Sequence, residues 1–188
     1  MEKINLDNFN CLIKEEEIEK RIKEMANQID QDYLGEDVIL ICILKGASVF
    51  TNNLMMNLKT PAKIEFMKVS SYEGTDSTGV LNVKLDLDCN IEGENVIICE
   101  DIIDTGYTLS YLRGYLLDKK PKSLKIAVFA DKKERREKEV PVDYIGFSIP
   151  DEFVIGYGLD YNQVGRNIPY LGYVVNPSDE IILKRKKQ

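Results

Sequence analysis

The chain contains no histidine. That excludes histidine triads and histidine metal sites, and leaves Asp, Glu, Lys, Tyr and Cys for acid–base work. The four cysteines, at 11, 42, 89 and 99, show no CxxC spacing. Cys42 and Cys99 sit inside apolar runs, where a buried thiol is the plain reading. The longest uninterrupted apolar run is VILICIL, far too short to span a bilayer, so no membrane partner is expected. The opening MEKINLDNFN lacks the apolar stretch of a signal peptide, and a reducing cytoplasm is the expected location. An excess of positive charge is missing as well. The formal net charge is −7, and the basic tail KRKKQ reads as a solvated terminus. General electrostatic binding of nucleic acid needs a positive face and is not expected. Neither GxGxxG nor GxxxxGK[ST] occurs, so neither a dinucleotide fold nor a P-loop is indicated.

What is present fits one globular domain. At 188 residues the chain is long enough to bury about 70% of its unfolded surface. EEEIEKRIKEMANQIDQDYLG spaces Ile18, Ile22, Met25 and Ile29 by four, three and four, which predicts a helix ended near Gly35. Val38–Leu44 reads as a strand buried on both faces, the signature of a parallel sheet covered by helices. KGASVFTNNLMMNLK predicts the next helix, with Val49, Leu54 and Met55 turned inward. KIEFMKVSSY and VLNVKLDLD alternate as half-exposed strands joined by EGTDSTG, and SSYEGTDSTG is a candidate lid. NVIIC and LKIAVFA read as strands with TLSYLRGYLLDKK as a helix between them, and VDYIGFSIP and YLGYVV add further strands. Such alternation predicts an α/β domain with a central parallel sheet flanked by helices. Ligands of such sheets bind beyond the carboxyl ends of the strands.

The segment VIICEDIIDTGYTL, Val96 to Leu109, carries the chemistry. Three carboxylates, Glu100, Asp101 and Asp104, leave a buried strand and run into Thr105-Gly106-Tyr107-Thr108. A small-residue turn at a helix N-terminus is a ready phosphate site. The two threonines add hydroxyl donors, and Gly106 lets the backbone approach an anion. Paired carboxylates suit a sugar diol or a hydrated Mg²⁺. The plain alternative is a solvated strand end with Asp104 capping the helix that begins near Gly106.

VIICEDIIDTGYTL resembles the phosphoribosyl-pyrophosphate signature of type I phosphoribosyltransferases, and the EDIIDTG form resembles the hypoxanthine-guanine branch most closely. The resemblance extends to LKG at 44–46, SSYEGTDSTG at 70–79, ADKKERR at 130–136 and IPDEFVIGYGLDYNQVGRNIPYLG at 149–172. It implies the type I phosphoribosyltransferase fold: one domain over 1–188, a core over about 36–150, and a small hood from about 1–20 and 150–188. The implied reaction is purine salvage, in which hypoxanthine and guanine receive the 5-phosphoribosyl group of 5-phosphoribosyl-1-pyrophosphate to give IMP and GMP plus pyrophosphate. In that family Glu100 and Asp101 would meet the ribose hydroxyls, and Asp104 through Thr108 the 5′-phosphate. Asp104 would be the acid–base group, and Tyr107 stands where some members have Lys.

The resemblance also implies pyrophosphate binding by Lys45, Gly46 and Arg166, with a cis peptide before Lys45. Lys132 would donate to O6 of a 6-oxopurine, with Lys133 as its rival, and Phe153 would stack on the base. Val154 and Asp160 would complete the purine site, Ser71 and Tyr72 would belong to the lid, and Mg²⁺ would be held by Glu100, Asp101 and Asp160 directly or through water. Homodimers or homotetramers are the expected assemblies. Read without the family, Lys45 is a strand-end cation, Lys132 one lysine of a charged run, and Phe153 core filler. Two other functions stand beside this one. The first is a non-catalytic nucleic-acid-binding regulator that keeps the pocket. The second is a phosphoribosyltransferase for pyrimidine, adenine or xanthine.

Overall fold

The computed structural model describes residues 9–71 and 81–174. Tyr72, most of the predicted lid and the tail KRKKQ lie outside the described residues. Ser71 closes a strand, and only its backbone is described.

The elements run β1 (Phe9–Ile13), α1 (Glu15–Asp32), β2 (Val38–Ile43), α2 (Ala47–Asn57), β3 (Ala62–Ser71), β4 (Leu81–Leu85), β5 (Asn95–Ile103), α3 (Tyr107–Leu117), β6 (Ser123–Asp131), β7 (Tyr144–Ser148), β8 (Val154–Ile155) and β9 (Leu171–Val174). A single 3-10 turn, Lys133–Arg135, follows β6. Six strands form a sheet in the order β4-β3-β2-β5-β6-β7. Five of them are parallel, and β4 pairs antiparallel with β3 at the edge, so the sheet is mixed there.

Alternation of side chains across the strands divides the core in two. Val38, Leu40, Ile97, Cys99, Ala127 and Phe129 face α1 and α2. Ile39, Ile41, Ile43, Val96, Ile98, Ile126 and Val128 face α3. Because both faces are covered, β2 is buried at every residue, as its uninterrupted apolar run requires. Ile18, Ile22, Met25 and Ile29 of α1 are fully buried. Each contributes about 1.5–3 kcal/mol on leaving water. Of the α2 positions, Leu54 is buried, while Val49 and Met55 pack partly buried against the same core. Cys42 and Cys99 are buried free thiols.

A second sheet, β1-β9-β8, is antiparallel throughout and joins the two ends of the described chain. Among the described residues no helix is long and apolar enough to cross a membrane.

Strand order places the site. From β2 the chain moves to β3 on one side, then returns to β5 on the other. The direction of winding therefore reverses between β2 and β5. A crevice opens at such a point beyond the carboxyl ends of the strands.

Candidate active site

Both strands that flank the reversal end in residues singled out from the sequence. After β2 come Lys45 and Gly46, and the Leu44–Lys45 peptide is cis. Within the last turns of β5 stand Glu100 and Asp101. The two loops touch so closely that a Cβ on Gly46 would overlap the Asp101 carboxylate. Glycine here is a requirement of contact between neighbouring strands.

Glu100 is 8% exposed, and Asp101 is half-buried beside it. Burial, with the adjacent Asp101 charge, pushes the Glu100 carboxyl well above the ordinary carboxylate range. Asp101 is raised too, mainly by burial, against hydrogen bonds from Glu100 and the Ile102 N–H and the opposing charge of Arg166. Among the described residues no lysine or arginine forms an ion pair with either acid. Two desolvated carboxylates without a cation are costly unless a ligand meets them. A divalent cation or a sugar diol fits that donor set. Asp160, the third expected ligand, pairs instead with Arg166 and accepts the Gln163 N–H at 2.7 Å. Among the described residues no three Asp, Glu, Cys or His side chains group to hold a metal.

Asp104 to Thr108 wrap the start of α3. Gly106 is the N-cap, at φ +90°, and makes no side-chain cap bond. The capping role open to Asp104 is therefore not taken. Its Oδ1 is buried and has no hydrogen bond, with Arg135 Nε 3.0 Å away in poor geometry for one. A Cβ on Gly106 would strike Lys138 O and Arg136 Cδ. Thr105 O in turn accepts the N–H groups of Glu137 and Lys138 at 3.0 and 2.9 Å. The first α3 N–H to find an acceptor is that of Ser110, onto Gly106 O at 2.9 Å. The donors before it face outward from a helix start, where the dipole favours an anion. Tyr107 and Thr108 are exposed there, and Thr105 is half-buried.

The residues expected to meet a base lie beyond β6. Lys132 is 7% exposed, whereas Lys133 is exposed. Lys132 Nζ lies 3.4 Å from Asp151 Oδ1. Phe153, expected from composition alone to fill the core, is 40% exposed and meets Tyr161 edge-on at 5.6 Å. Val154 is buried in β8. A partly exposed aromatic ring can stack on a flat ring, and a buried ammonium can donate to an oxygen.

The segment 156–166 packs against the loop after β2. Gly158, at φ +99°, sits against Gly46 O, which a Cβ would strike. Arg166 donates to Gly158 O at 2.7 Å, and Lys45 Nζ donates to Gln163 Oε1 at 2.9 Å. A separate cavity of about 200 Å³ lies behind Arg166, lined by Glu15, Asn53, Tyr157 and Pro169 among others.

Sequence reasoning missed Gln163, Asp151 and Arg135. The first two are ordinary polar residues whose partners are remote in sequence. Arg135 was hidden inside the charged run DKKERREK, and its signal was the three-residue spacing from Lys132.

A reversal-point crevice lined by an acidic strand end, a helix start and a buried ammonium defines a nucleotide-forming transferase site. Residues 12–162 match the phosphoribosyl transferase domain family, and the chain belongs to that family. It is 44% identical over 171 residues to a hypoxanthine-guanine phosphoribosyltransferase of Aquifex aeolicus, covering 90% of this chain and 96% of that one. It is 46% identical over 167 residues to a hypoxanthine phosphoribosyltransferase of Salmonella typhimurium, covering 87% and 94%. Among solved structures, a hypoxanthine phosphoribosyltransferase of Staphylococcus aureus superposes with a TM-score of 0.88 at 40% identity, covering 93% and 96%.

Proposed function

We propose that this enzyme transfers the 5-phosphoribosyl group of 5-phosphoribosyl-1-pyrophosphate to hypoxanthine and guanine, releasing pyrophosphate and giving IMP and GMP. The observation that carries the reading is the buried Lys132 just past the end of β6, the strand next to the one that carries Glu100 and Asp101, with Phe153 partly exposed ahead of β8. An ammonium donates to a 6-oxo group and opposes adenine, whose 6-amino group is itself a donor. This favours a 6-oxopurine over adenine or a pyrimidine as acceptor.

The C1–pyrophosphate bond breaks, the base nitrogen bonds to C1, and positive charge builds on the ribose between these events, as in glycoside cleavage. Glu100 and Asp101 meet the ribose hydroxyls and place the sugar. The free N–H groups and hydroxyls of Thr105 through Thr108 hold the 5′-phosphate. Tyr107 contributes there through its backbone. Lys45, Gly46 and Arg166 grip the pyrophosphate, the guanidinium as a two-pronged donor. Phe153 stacks on the purine while Val154 and Asp160 border its edge. Asp104 takes the N7 proton as the base becomes nucleophilic. Glu100, Asp101 and Asp160 would hold Mg²⁺, directly or through water, and the ion would supply positive charge for the departing pyrophosphate. The lid containing Ser71 and Tyr72 excludes water, the competing acceptor.

The same reading makes residues 1–188 a single domain, with the core over about 36–150 and the hood from about 1–20 and 150–188. The enzyme then works in the cytoplasm as a homodimer or homotetramer. The test is a pyrophosphate-release assay with hypoxanthine, guanine, xanthine and adenine one at a time, with Mg²⁺ and with a chelator. Turnover of the first two, lost on chelation, is expected. Turnover of adenine in their place would overturn the role of Lys132. Asp104→Asn is expected to lower kcat by about 10²–10⁴ while nucleotide binding, read by calorimetry, persists.

A further inference from the structure

Lys132 and Arg135 stand at the two ends of the 3-10 turn after β6, closed by the Arg135 N–H donating to Lys132 O at 3.1 Å. Three residues per turn bring side chains i and i+3 onto one face. Both cations accordingly meet one atom, Asp151 Oδ1, at 3.4 Å from Lys132 Nζ and 3.5 Å from Arg135 Nη1. Arg135 alone reaches further, with Nε 3.0 Å from Asp104 Oδ1.

That oxygen is buried, although the Asp104 side chain as a whole is 39% exposed. The exposed area therefore belongs to the other oxygen and to Cβ. Arg135 stands on the buried side of the carboxylate, and the opposite side faces solvent. A carboxylate with no hydrogen bond at its buried end has a broad, nearly two-fold torsion about its last bond. A charge 3.0 Å away is what selects one orientation. The neighbouring arginine does a different job. Arg136 pairs with the buried Asp131 at 2.5 Å and donates from Nε to the Asp104 backbone carbonyl at 3.2 Å. One arginine fixes the backbone of Asp104 and the next fixes its side chain.

We infer that Arg135 is a positioning residue for phosphoribosyl transfer: it turns Asp104 Oδ1 inward and presents the other oxygen to the base, while Asp151 holds the far end of the guanidinium. The inference rests on the acid–base role proposed for Asp104. Arg135 touches no substrate in this scheme and acts through Asp104 alone. Its loss reduces kcat, and KM for the base changes little.

The experiment is steady-state kinetics of R135Q, R135K, D104N and the R135Q/D104N double variant, with a thermal melt of each. Enzyme concentrations are set high enough to read residual turnover. Arg135 is exposed and outside both cores, so the melting temperature of R135Q is expected to stay within about 3 °C of wild type. Its kcat is expected to fall about 10–100-fold, the scale of a small misplacement of a reacting group. KM for hypoxanthine is expected to move less than about threefold, since uniform binding is unaffected. R135K, which keeps the charge but not the fork, is expected to recover part of the loss. In the double variant the R135Q change is expected to add less than about twofold to D104N, because residues acting through one another do not add. An R135Q enzyme within about twofold of wild type overturns the inference, as does a double variant whose losses multiply. A D104N enzyme with wild-type turnover overturns the acid–base role itself, and is told apart because it fails before Arg135 is changed.

Discussion

Gly46 shows how one atom decides a site. Its missing Cβ is the space into which the Asp101 carboxylate fits, so the loop after β2 and the end of β5 share a volume too small for a methyl group. Gly46→Ala is expected to displace Asp101 or the loop and to lower kcat/KM by about 10²-fold or more, on the scale of a 1 Å misplacement. Gly46 and Asp101 belong to neither hydrophobic core, so circular dichroism is expected to be unchanged. A variant with full activity would show that the two loops yield easily. Only part of this was legible in the sequence. LKG and EDIIDTG stood out as motifs, but their contact follows from strand order, which no local pattern carries. For Phe153 the residue pattern alone gives core filler, whereas the resemblance gives a ring that stacks on the base. The ring is 40% exposed, with Tyr161 edge-on against it, which departs from the first of these.

The elements were read most reliably where periodicity was long. Four isoleucine and methionine positions spaced by four, three and four defined α1, and all four are buried. The short strands escaped. β8 has two residues and β1 has five, with Asn10 and Cys11 exposed in β1. They are strands because β9 supplies their hydrogen bonds; for β1 that partner is more than a hundred residues away and for β8 it lies beyond a long loop, and neither leaves a local trace. The end of α1 also carries an acid–base feature that belongs to the element. Asp32 accepts Lys125 Nζ at 2.8 Å and Tyr144 Oη at 2.7 Å. Those two hydrogen bonds hold its carboxyl below the ordinary range. A depressed carboxyl stabilises the fold above its unfolded value of about 4 and loses that contribution as pH falls through the folded value. Asp32→Asn is therefore expected to cost about 1 kcal/mol near neutral pH, modest because the pair is partly exposed. The gap to wild type is expected to close below about pH 4. Urea unfolding at a series of pH values measures it, and a gap that persists into acid would contradict the assignment.

At the scale of the molecule, the sheet separates two cores that touch different helices, one covered by α1 and α2 and the other by α3. The catalytic apparatus is hung on the rim where they meet. Ile22→Ala removes a fully buried side chain from the first core and is expected to destabilise the protein by about 2–5 kcal/mol. Because the crevice lies at the strand ends, KM for both substrates at a temperature well below the melt is expected to stay within about twofold of wild type. Chemical denaturation and steady-state kinetics on the same preparation separate the two effects. A large change in KM would mean that α1 shapes the crevice directly.

Gly158 rests on the carbonyl of Gly46 with no side chain between them. If the proposed function holds, the wall that would grip the leaving anion and the wall that would border the incoming base are one object, made of two stretches of backbone in direct touch. Neither half can be reshaped by itself: a change that widens the enzyme's tolerance for one reactant must also disturb its hold on the other.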